Sequence, residues 1–393
     1  MFNKKISADD FVKNFIYPSI QSPSIDKFFK RKSIVFSDEG LNELSRDVVN
    51  EIFYKKNFFY SLTEGEPFRI IQETLNVKFL KNIPISSSAK AFRENTSYFD
   101  FIEPHAKNYN FVRIDVKNFF HSIRESDLRE CFSVYFKDQK LSPDSEQSIL
   151  DCFIIATTLV VDDSFSNKKS IGKRILPIGF STSPLIANIL FRKVDVLIEK
   201  LCARLNVTYT RYADDLLFSS DKNERFIFSD QFSREIGLLL SLLGLKINKK
   251  KTIKKSHTIS LNGFVIQSKQ GKNYSNPFKE NNISEYKGIR VSNKKTKKIY
   301  KAISLLSNEH SYIDVLKIAF EVNMEKSLDF NNMNSRLLEN YAKSQVINRL
   351  AGYRSFILSL LIYNNRFECL PNIVVEKYNS LVKNIEVTIK KIH

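Results

Sequence analysis

The chain has 393 residues, of which 42% are hydrophobic, so it is long enough for two or three structural units with buried cores. This composition excludes a largely disordered protein, and the formal charge of +18 indicates a polyanionic partner, with nucleic acid favoured over an anionic membrane. The four cysteines form no CxxC pair, which argues against structural zinc and a disulfide framework. The sequence has no signal-peptide core and no apolar run of the ~18 residues that span a bilayer, so we expect a cytoplasmic protein without a membrane partner.

The first half of the chain predicts mixed secondary structure. Residues 1–80 combine aromatic and charged residues at helical spacing. Residues 111–117 alternate apolar and polar side chains, which predicts a strand with Asp115 on its polar face. Ser183 and Pro184 are typical N-cap and N1 residues, so a helix is predicted to begin there.

The second half begins with a predicted hairpin and becomes helical. Residues 209–220 predict two strands joined by a tight turn, and a helix over about 230–243 is expected to end at Gly244. The stretch 267–282, rich in Gly, Asn, Ser and Lys, indicates a domain boundary. Apolar spacing beyond it predicts two short helices near 303–306 and 313–319, one long or two abutting helices over 334–363, and a last helix over 374–392.

One pair of carboxylates stands out by its surroundings. The chain has three Asp-Asp pairs, and most such pairs are solvated turns. Asp214 and Asp215 differ because β-prone residues flank them, so a hairpin tip would point both carboxylates the same way. Adjacent carboxylates repel each other unless a cation lies between them. If the strand of Asp115 pairs beside this hairpin, three oxygen ligands of the kind that Mg²⁺ prefers converge.

The segment Tyr212-Ala213-Asp214-Asp215 resembles the YxDD box of reverse transcriptases. Six more segments resemble motifs of that family, in its order and spacing: 91–93 with His105, 114–120, 176–184, 244–252, 261–264 and 350–353. The resemblance covers about residues 81–360. It implies an α+β right-hand polymerase with fingers, an antiparallel-sheet palm and a helical thumb. The corresponding domains are an N-terminal helical fingers extension over 1–80, interleaved fingers and palm over 81–270, and the thumb over 271–393.

The resemblance also implies an activity, RNA-directed DNA polymerisation, and a metal site. Asp115, Asp214 and Asp215 would be the catalytic carboxylates. Together with Val116 they would hold two Mg²⁺ ions, for which Mn²⁺ can substitute. Such ions activate a 3′-hydroxyl and stabilise the leaving pyrophosphate.

The nucleotide-binding residues implied by the resemblance are Lys90, Arg93, Val116, Phe120, Gly179 and Lys251. Lys90 and Arg93 would meet the triphosphate, and Lys251 would approach it from the palm side and donate a proton to pyrophosphate. Phe120 would exclude a ribose 2′-hydroxyl and so favour dNTPs, although an isolated Phe is usually a core residue. Gly179 would let the backbone approach the nucleotide. Taken singly, a lysine such as Lys251 is usually part of a solvated face.

Three departures from related motifs refine the resemblance. Ile178 stands where the family usually has Gln, no NAxxH element lies between the first two palm motifs, and residues 261–263 read Leu-Asn-Gly where retron enzymes have VTG. The chain therefore resembles the defence-associated bacterial reverse transcriptases near retrons more than a retron enzyme proper. Its length is similar to that of the smaller polymerase in two-polymerase systems of this kind.

The resemblance implies several partners. They are a structured noncoding RNA as template, a DNA product, dNTPs, and a second polymerase, an effector chain or further copies of the chain.

The lysine-rich segment 294–301 is either a solvated helix start or a phosphate-contacting surface. Two alternatives stay open: template-independent or protein-primed DNA synthesis, and a non-catalytic RNA-binding scaffold.

Overall fold

The computed structural model describes residues 5–21, 24–37, 40–268, 288–322, 334–368 and 370–392. Cys369 and most of the predicted boundary stretch, 269–282, lie outside the described residues. The chain divides into two compact units. The first is drawn from Met1–Phe101, Val112–Phe218 and Phe226–Ile253, and the second from Ile102–Phe111, Ser219–Arg225 and Lys254–His393.

The described α-helices up to residue 253 include several that pack around a buried aromatic cluster. They are α1 (Ala8–Phe11), α2 (Tyr17–Ile20), α3 (Ile25–Val35), α4 (Pro67–Lys78), α5 (Tyr98–Ile102), α6 (Glu125–Phe132), α7 (Ile149–Thr157), α8 (Ser183–Arg204) and α9 (Asp230–Ser241). Phe79, Phe132, Phe136 and Phe153 are buried and contact one another edge-on or tilted, the arrangement that aromatic rings prefer. Much of the phenylalanine content is therefore structural.

The strands form small sheets. They are β1 (Phe36–Ser37), β2 (Gly40–Leu41), β3 (Val49–Tyr54), β4 (Asn57–Leu62), β5 (Asn110–Asp115), β6 (Leu159–Val161), β7 (Lys173–Ile175), β8 (Thr208–Tyr212), β9 (Asp215–Ser220), β10 (Ile253–Ser256), β11 (Thr258–Leu261), β12 (Phe264–Gln267) and β13 (Ile289–Val291). The largest sheet has the order β10-β5-β9-β8. Antiparallel pairing joins β1 to β2, β3 to β4, β6 to β7, and β12 to both β11 and β13. The predicted α+β class with antiparallel sheets is confirmed.

The helical prediction for residues 1–80 is wrong over 49–62. That stretch is a hairpin, in which β3 pairs with β4 from Val49 opposite Leu62 to Tyr54 opposite Asn57. Its turn residues, Lys55 and Lys56, both have positive φ, the conformation of the tight hairpin turn that matches strand twist.

The elements that position the carboxylates are confirmed, with one correction. The predicted strand is β5, the predicted hairpin is β8 with β9, and the predicted helix near 230 is α9, after which Gly244 has a φ of +66°. Ser183 is not the N-cap of α8. Thr182 takes that place without a side-chain cap, and the buried Ser183 hydroxyl has no hydrogen-bond partner among the described residues. Ser183 is therefore the first helical residue, and Pro184 the second.

The C-terminal helices of the second unit are α10 (Asn293–Ser307), α11 (Tyr312–Phe320), α12 (Ser335–Phe367) and α13 (Asn372–Ile392). The two predicted short helices, α10 and α11, and the predicted last helix, α13, are confirmed. The stretch 334–363, predicted as one long or two abutting helices, is part of the single long helix α12. Phe264 of β12 stacks on Phe356 of α12 with ring centroids 4.2 Å apart, which joins the small sheet β11-β12-β13 to the helices. Within the described ranges, none of the helices has the length and apolar character needed to cross a membrane.

Candidate active site

Main-chain hydrogen bonds bring the three predicted carboxylates to one place in the first unit. Ala213, in the turn between β8 and β9, has a φ of 55°, and this left-handed residue turns the chain sharply into Asp214. The Val116 amide donates to the Asp214 carbonyl at 3.0 Å, and the Asn248 amide donates to the Asp115 carbonyl at 2.8 Å. The end of β5, the turn and the segment after α9 are therefore tied together by their backbones.

Among the described residues, the Asp115 carboxylate has two hydrogen-bond partners. Its side chain is buried, and it accepts a hydrogen bond from Asn248 Nδ2 at 2.8 Å and one from Lys251 Nζ at 3.1 Å. The Lys251 side chain is itself 66% exposed. The structure thus places the predicted palm-side lysine beside the predicted metal ligand, with its amino group within reach of solvent.

Asp215 is engaged differently from Asp115. Arg113, on β5, donates to both of its carboxylate oxygens, from Nε at 2.8 Å and from Nη2 at 2.7 Å. This is the two-pronged geometry that makes arginine–carboxylate pairs strong. The sequence analysis did not anticipate the pair. In the part of the chain that the structure describes, no three His, Cys, Asp or Glu side chains are grouped to hold a metal ion.

The carboxylates at the Ala213 turn nevertheless carry more negative charge than the nearby cations balance. Burial, followed by the charges of Asp215 and Asp115, raises the pKa of Asp214 to about 6. Burial also raises the pKa of Asp215, although Arg113 opposes that shift. Carboxylates that repel one another in a buried place are stabilised by a cation. The donor set therefore fits a hard divalent cation at Asp115 and Asp214, with Asp215 already shared with Arg113.

A buried ionic network supports the turn from within the protein. Arg211 and Asp195 are both fully buried and form an ion pair with a 2.8 Å contact. The Tyr209 hydroxyl donates to Asp195 at 2.7 Å, and Arg211 Nη1 donates to the Ala213 carbonyl at 3.1 Å. Arg211 also donates to Asn188 and lies over the ring of Phe191. Sequence reasoning missed this network, whose sequence signal is an arginine two residues before the turn.

The segment with Lys90 and Arg93 lies against β8. The Lys90 amide donates to the Arg211 carbonyl, and the Arg211 amide donates to the Ser88 carbonyl, each at 2.8 Å. Arg93 donates to the carbonyls of Ser86 and Ala89, so its guanidinium helps to hold its own loop. The nucleotide contacts predicted for Lys90 and Arg93 stay predictions.

Gly179 and Phe120 have structural roles in addition to their predicted ones. Gly179 has a φ of +115°, and a Cβ there would lie 2.3 Å from the carbonyl oxygen of Tyr60 in β4. Close packing against the β3–β4 hairpin therefore requires glycine at this position. Phe120 is half-buried, and its ring centroid lies 5.2 Å from that of Phe119. Their predicted contacts with a nucleotide stay predictions.

Comparison with known proteins assigns the chain to a family. Residues 66–266, just over half of the chain, match the family described as "Reverse transcriptase (RNA-dependent DNA polymerase)". The chain belongs to the reverse transcriptase family. The Retron Ec73 reverse transcriptase of Escherichia coli is 36% identical over 178 residues, which are 43% of this chain and 52% of that protein. The Retron Mx162 reverse transcriptase of Myxococcus xanthus is 31% identical over 175 residues, 41% of this chain and 33% of that protein.

These relatives confirm the expected resemblance to bacterial retron-type enzymes, even though two retron motifs are altered in this chain. The chain spans about half the length of three Escherichia coli relatives that it matches, 52%, 55% and 48%. Among solved structures, the telomerase of Candida albicans in complex with a fragment of telomeric RNA is similar with a TM-score of 0.39. Its sequence identity is 12%, over 89% of this chain and 65% of that one.

Proposed function

We propose that the chain is an RNA-directed DNA polymerase that adds dNTPs to a 3′-hydroxyl. The observation that supports this most is the backbone pairing that sets Asp115 beside Asp214, in a chain whose family has this activity. Phosphoryl transfer needs little covalent chemistry from the protein and depends on positioning and charge. Rigid main-chain contacts at a cluster of carboxylates provide the positioning.

The proposal includes two Mg²⁺ ions, which would supply Lewis-acid activation of the hydroxyl and stabilisation of pyrophosphate. Asp115 and Asp214 would be the principal ligands, and Asp215 would assist through oxygen lone pairs that Arg113 leaves available. Lys251, in contact with Asp115, would neutralise negative charge on the phosphates and donate a proton to the leaving group. The half-buried Phe120 would select against a ribose 2′-hydroxyl.

The proposal includes contact between the lysine-rich segment 294–301, at the start of helix α10, and the phosphates of a nucleic-acid duplex. Lys298 pairs with Glu321, and Lys295 packs on the ring of Phe356, so these two are engaged within the protein. Lys294, Lys297 and Lys301 are exposed. Their spacing of three and four residues places them on one face of the helix, where they can contact successive phosphates.

A dedicated noncoding RNA template, a second polymerase or effector chain, and a role in antiviral defence are further proposals. They are supported by the sequence resemblance to defence-associated reverse transcriptases. Infection of cells that carry the gene, in parallel with cells that carry the Asp214→Ala form, tests the defence role: protection that depends on Asp214 is the expected result.

The polymerase proposal is tested by incorporation of labelled dNTPs or rNTPs by the purified protein in Mg²⁺, with and without primed RNA. We expect Asp214→Ala to lower incorporation at least ~1,000-fold, since the loss of a metal ligand removes several kcal/mol of transition-state stabilisation. Asp162→Ala, from an Asp-Asp pair in an exposed loop, is the matched control and should be fully active. Equal activity of the two variants would refute the proposed site.

The same experiment separates the alternatives. Synthesis only on added RNA supports ordinary reverse transcription. Synthesis without added RNA that survives nuclease treatment, with DNA attached to a tyrosine, supports protein priming. RNA binding without incorporation under any divalent metal supports a scaffold.

A further inference from the structure

A polar cleft of about 600 Å³ lies in the first unit, next to the segment that follows Asp115. It is formed by the turn after β5, the start of α6, strand β7 and the segment after α9. The lining residues are Lys117, Asn118, His121, Ser122, Ile123, Arg124, Glu125, Lys173, Arg174, Gly244 and Lys246. Its size is that of a small-molecule site.

Positive charge in this cleft is not balanced by the protein. Arg124 is paired with Asp127, and Arg174 with both Glu43 and the lining residue Glu125. The remaining charged groups are three exposed lysines without a carboxylate partner in the described ranges: Lys117, Lys173 and Lys246. The cleft is therefore suited to an anion.

A buried imidazole nitrogen adds to the lysines. His121 lines the cleft, and its Nε2 is buried without a hydrogen-bond partner among the residues that the structure describes. A buried polar atom of this kind is costly unless something pairs with it. As a neutral imidazole protonated at Nε2, it can donate to an anion oxygen.

The cleft is connected to the candidate active site through the backbone. The Lys117 amide donates to the Lys246 carbonyl at 2.9 Å, and the amide of the preceding Val116 donates to the Asp214 carbonyl at 3.0 Å. Lys117 and Lys246 thus lie on segments that are hydrogen-bonded to each other. The residue before Lys117 is hydrogen-bonded to the turn that carries Asp214.

We propose that this cleft binds inorganic pyrophosphate, the product that the proposed polymerase reaction would release. The inference rests on the proposed function for the source of the ligand and on the cleft alone for its chemistry. Three lysines and one neutral donor match the oxygens of a compact polyphosphate. Apart from His121 the lining residues carry no aromatic ring on which a base would stack, so the cleft suits a phosphate chain better than a nucleoside or single-stranded RNA.

The direct test is calorimetric titration of the purified chain with sodium pyrophosphate in the absence of divalent metal. We expect the double variant Lys173→Ala/Lys246→Ala to bind at least about tenfold more weakly, because each lost charge-assisted contact is worth more than 1 kcal/mol. Lys117 is left intact because it adjoins the catalytic strand. The charge-matched control, Lys140→Ala/Lys168→Ala, changes two exposed lysines outside the cleft and should bind like the wild type. Lys173→Arg/Lys246→Arg should retain binding.

The outcomes separate this proposal from the polymerase proposal. Wild-type protein that binds pyrophosphate more tightly than the double alanine variant, but incorporates no nucleotide, supports the cleft and contradicts the polymerase. Protein that synthesises DNA, but whose double alanine variant binds pyrophosphate as tightly as the wild type, overturns the cleft. Wild-type protein that fails to bind pyrophosphate also overturns it. If the double variant loses affinity for an RNA oligonucleotide and not for pyrophosphate, the cleft is a nucleic-acid surface and the proposal is wrong.

Discussion

The two sides of the Ala213 turn carry similar arginine–aspartate pairs in opposite settings. On the inner side, Arg211 and Asp195 are fully buried, and Tyr209, Asn188 and the Ala213 carbonyl form further hydrogen bonds with them. On the outer side, the side chains of Arg113 and Asp215 are 24% and 14% exposed, and the carboxylates of Asp115 and Asp214 lie close to Asp215. The inner pair is complete within the protein, whereas the outer group has excess negative charge. We infer that the inner side fixes the turn and that the outer side is left ready for a cation.

Removing one partner of the inner pair should have the largest effect. We expect Arg211→Met to lower the free energy of unfolding by about 3–5 kcal/mol, because an uncompensated buried carboxylate remains at Asp195. Urea unfolding followed by circular dichroism measures this.

The double variant Arg211→Met/Asp195→Leu is the matched control, since replacing both charges by apolar groups leaves no buried ion unpaired. It should recover most of the lost stability. If the double variant is no more stable than Arg211→Met, the unpaired Asp195 carboxylate is not the cause of the lost stability. DNA synthesis by the double variant would then show whether the turn needs the hydrogen bond from Arg211 to the Ala213 carbonyl.

A second prediction concerns His105, which is buried beside strand β9, with Nδ1 2.6 Å from Ser219 Oγ. Burial lowers the pKa of His105 to about 3, from an ordinary value of 6.5. The unfolded chain therefore binds a proton between pH 6.5 and 3 that the folded chain does not, and stability falls as the pH falls through that window. Between pH 7 and 5 the loss from this group is about 2 kcal/mol.

The variant His105→Gln isolates that contribution. The raised pKa of Asp214 acts in the opposite direction in the same window, so the quantity to compare is the change in unfolding free energy from pH 7 to 5 in variant and wild type. We expect the fall in unfolding free energy from pH 7 to 5 to be about 2 kcal/mol smaller in the variant than in the wild type. Identical changes would show that His105 titrates alike in both states.

The smallest effect is expected on the outer side. Arg113→Gln should lower the free energy of unfolding by only about 1 kcal/mol, because the pair is partly solvated. The guanidinium competes with a cation for Asp215, so the variant should reach half-maximal DNA synthesis at a lower Mg²⁺ concentration. Arg113→Lys keeps the charge but not the two-pronged contact. The Mg²⁺ concentration at which it reaches half-maximal synthesis should lie between those of Arg113→Gln and the wild type. A higher Mg²⁺ requirement for Arg113→Gln would mean that Arg113 holds Asp215 in position for the metal.

Local pattern was sufficient to predict the frame of the site. Alternation predicted β5, β-prone flanks predicted the hairpin around Asp214, residues typical of helix ends marked α8 and α9, and apolar spacing predicted the C-terminal helices. The hairpin β3–β4 was missed because its turn is Lys55-Lys56, without the glycine or asparagine that usually marks such turns.

Long-range contacts could not be predicted in this way. Arg113 and Asp215 are 102 positions apart, and no local periodicity joins them. The same holds for Gly179, whose close neighbour is the backbone of Tyr60. The Ser183 cap was predicted wrongly because the preceding residue, Thr182, occupies the N-cap position, which leaves Ser183 inside the first turn of the helix.

The contact between Tyr60 and Ile178 bears on how this chain tolerates sequence change. The Tyr60 amide donates to the Ile178 carbonyl at 2.8 Å, so the hairpin is anchored by an atom that every amino acid possesses. Glycine at 179 is constrained by the approach of two backbones, while the side chain at 178 takes no part in that anchorage. Glutamine, which the resembling motif has at this position, could therefore replace isoleucine without removing this hydrogen bond, and the exchange is open to protein engineers.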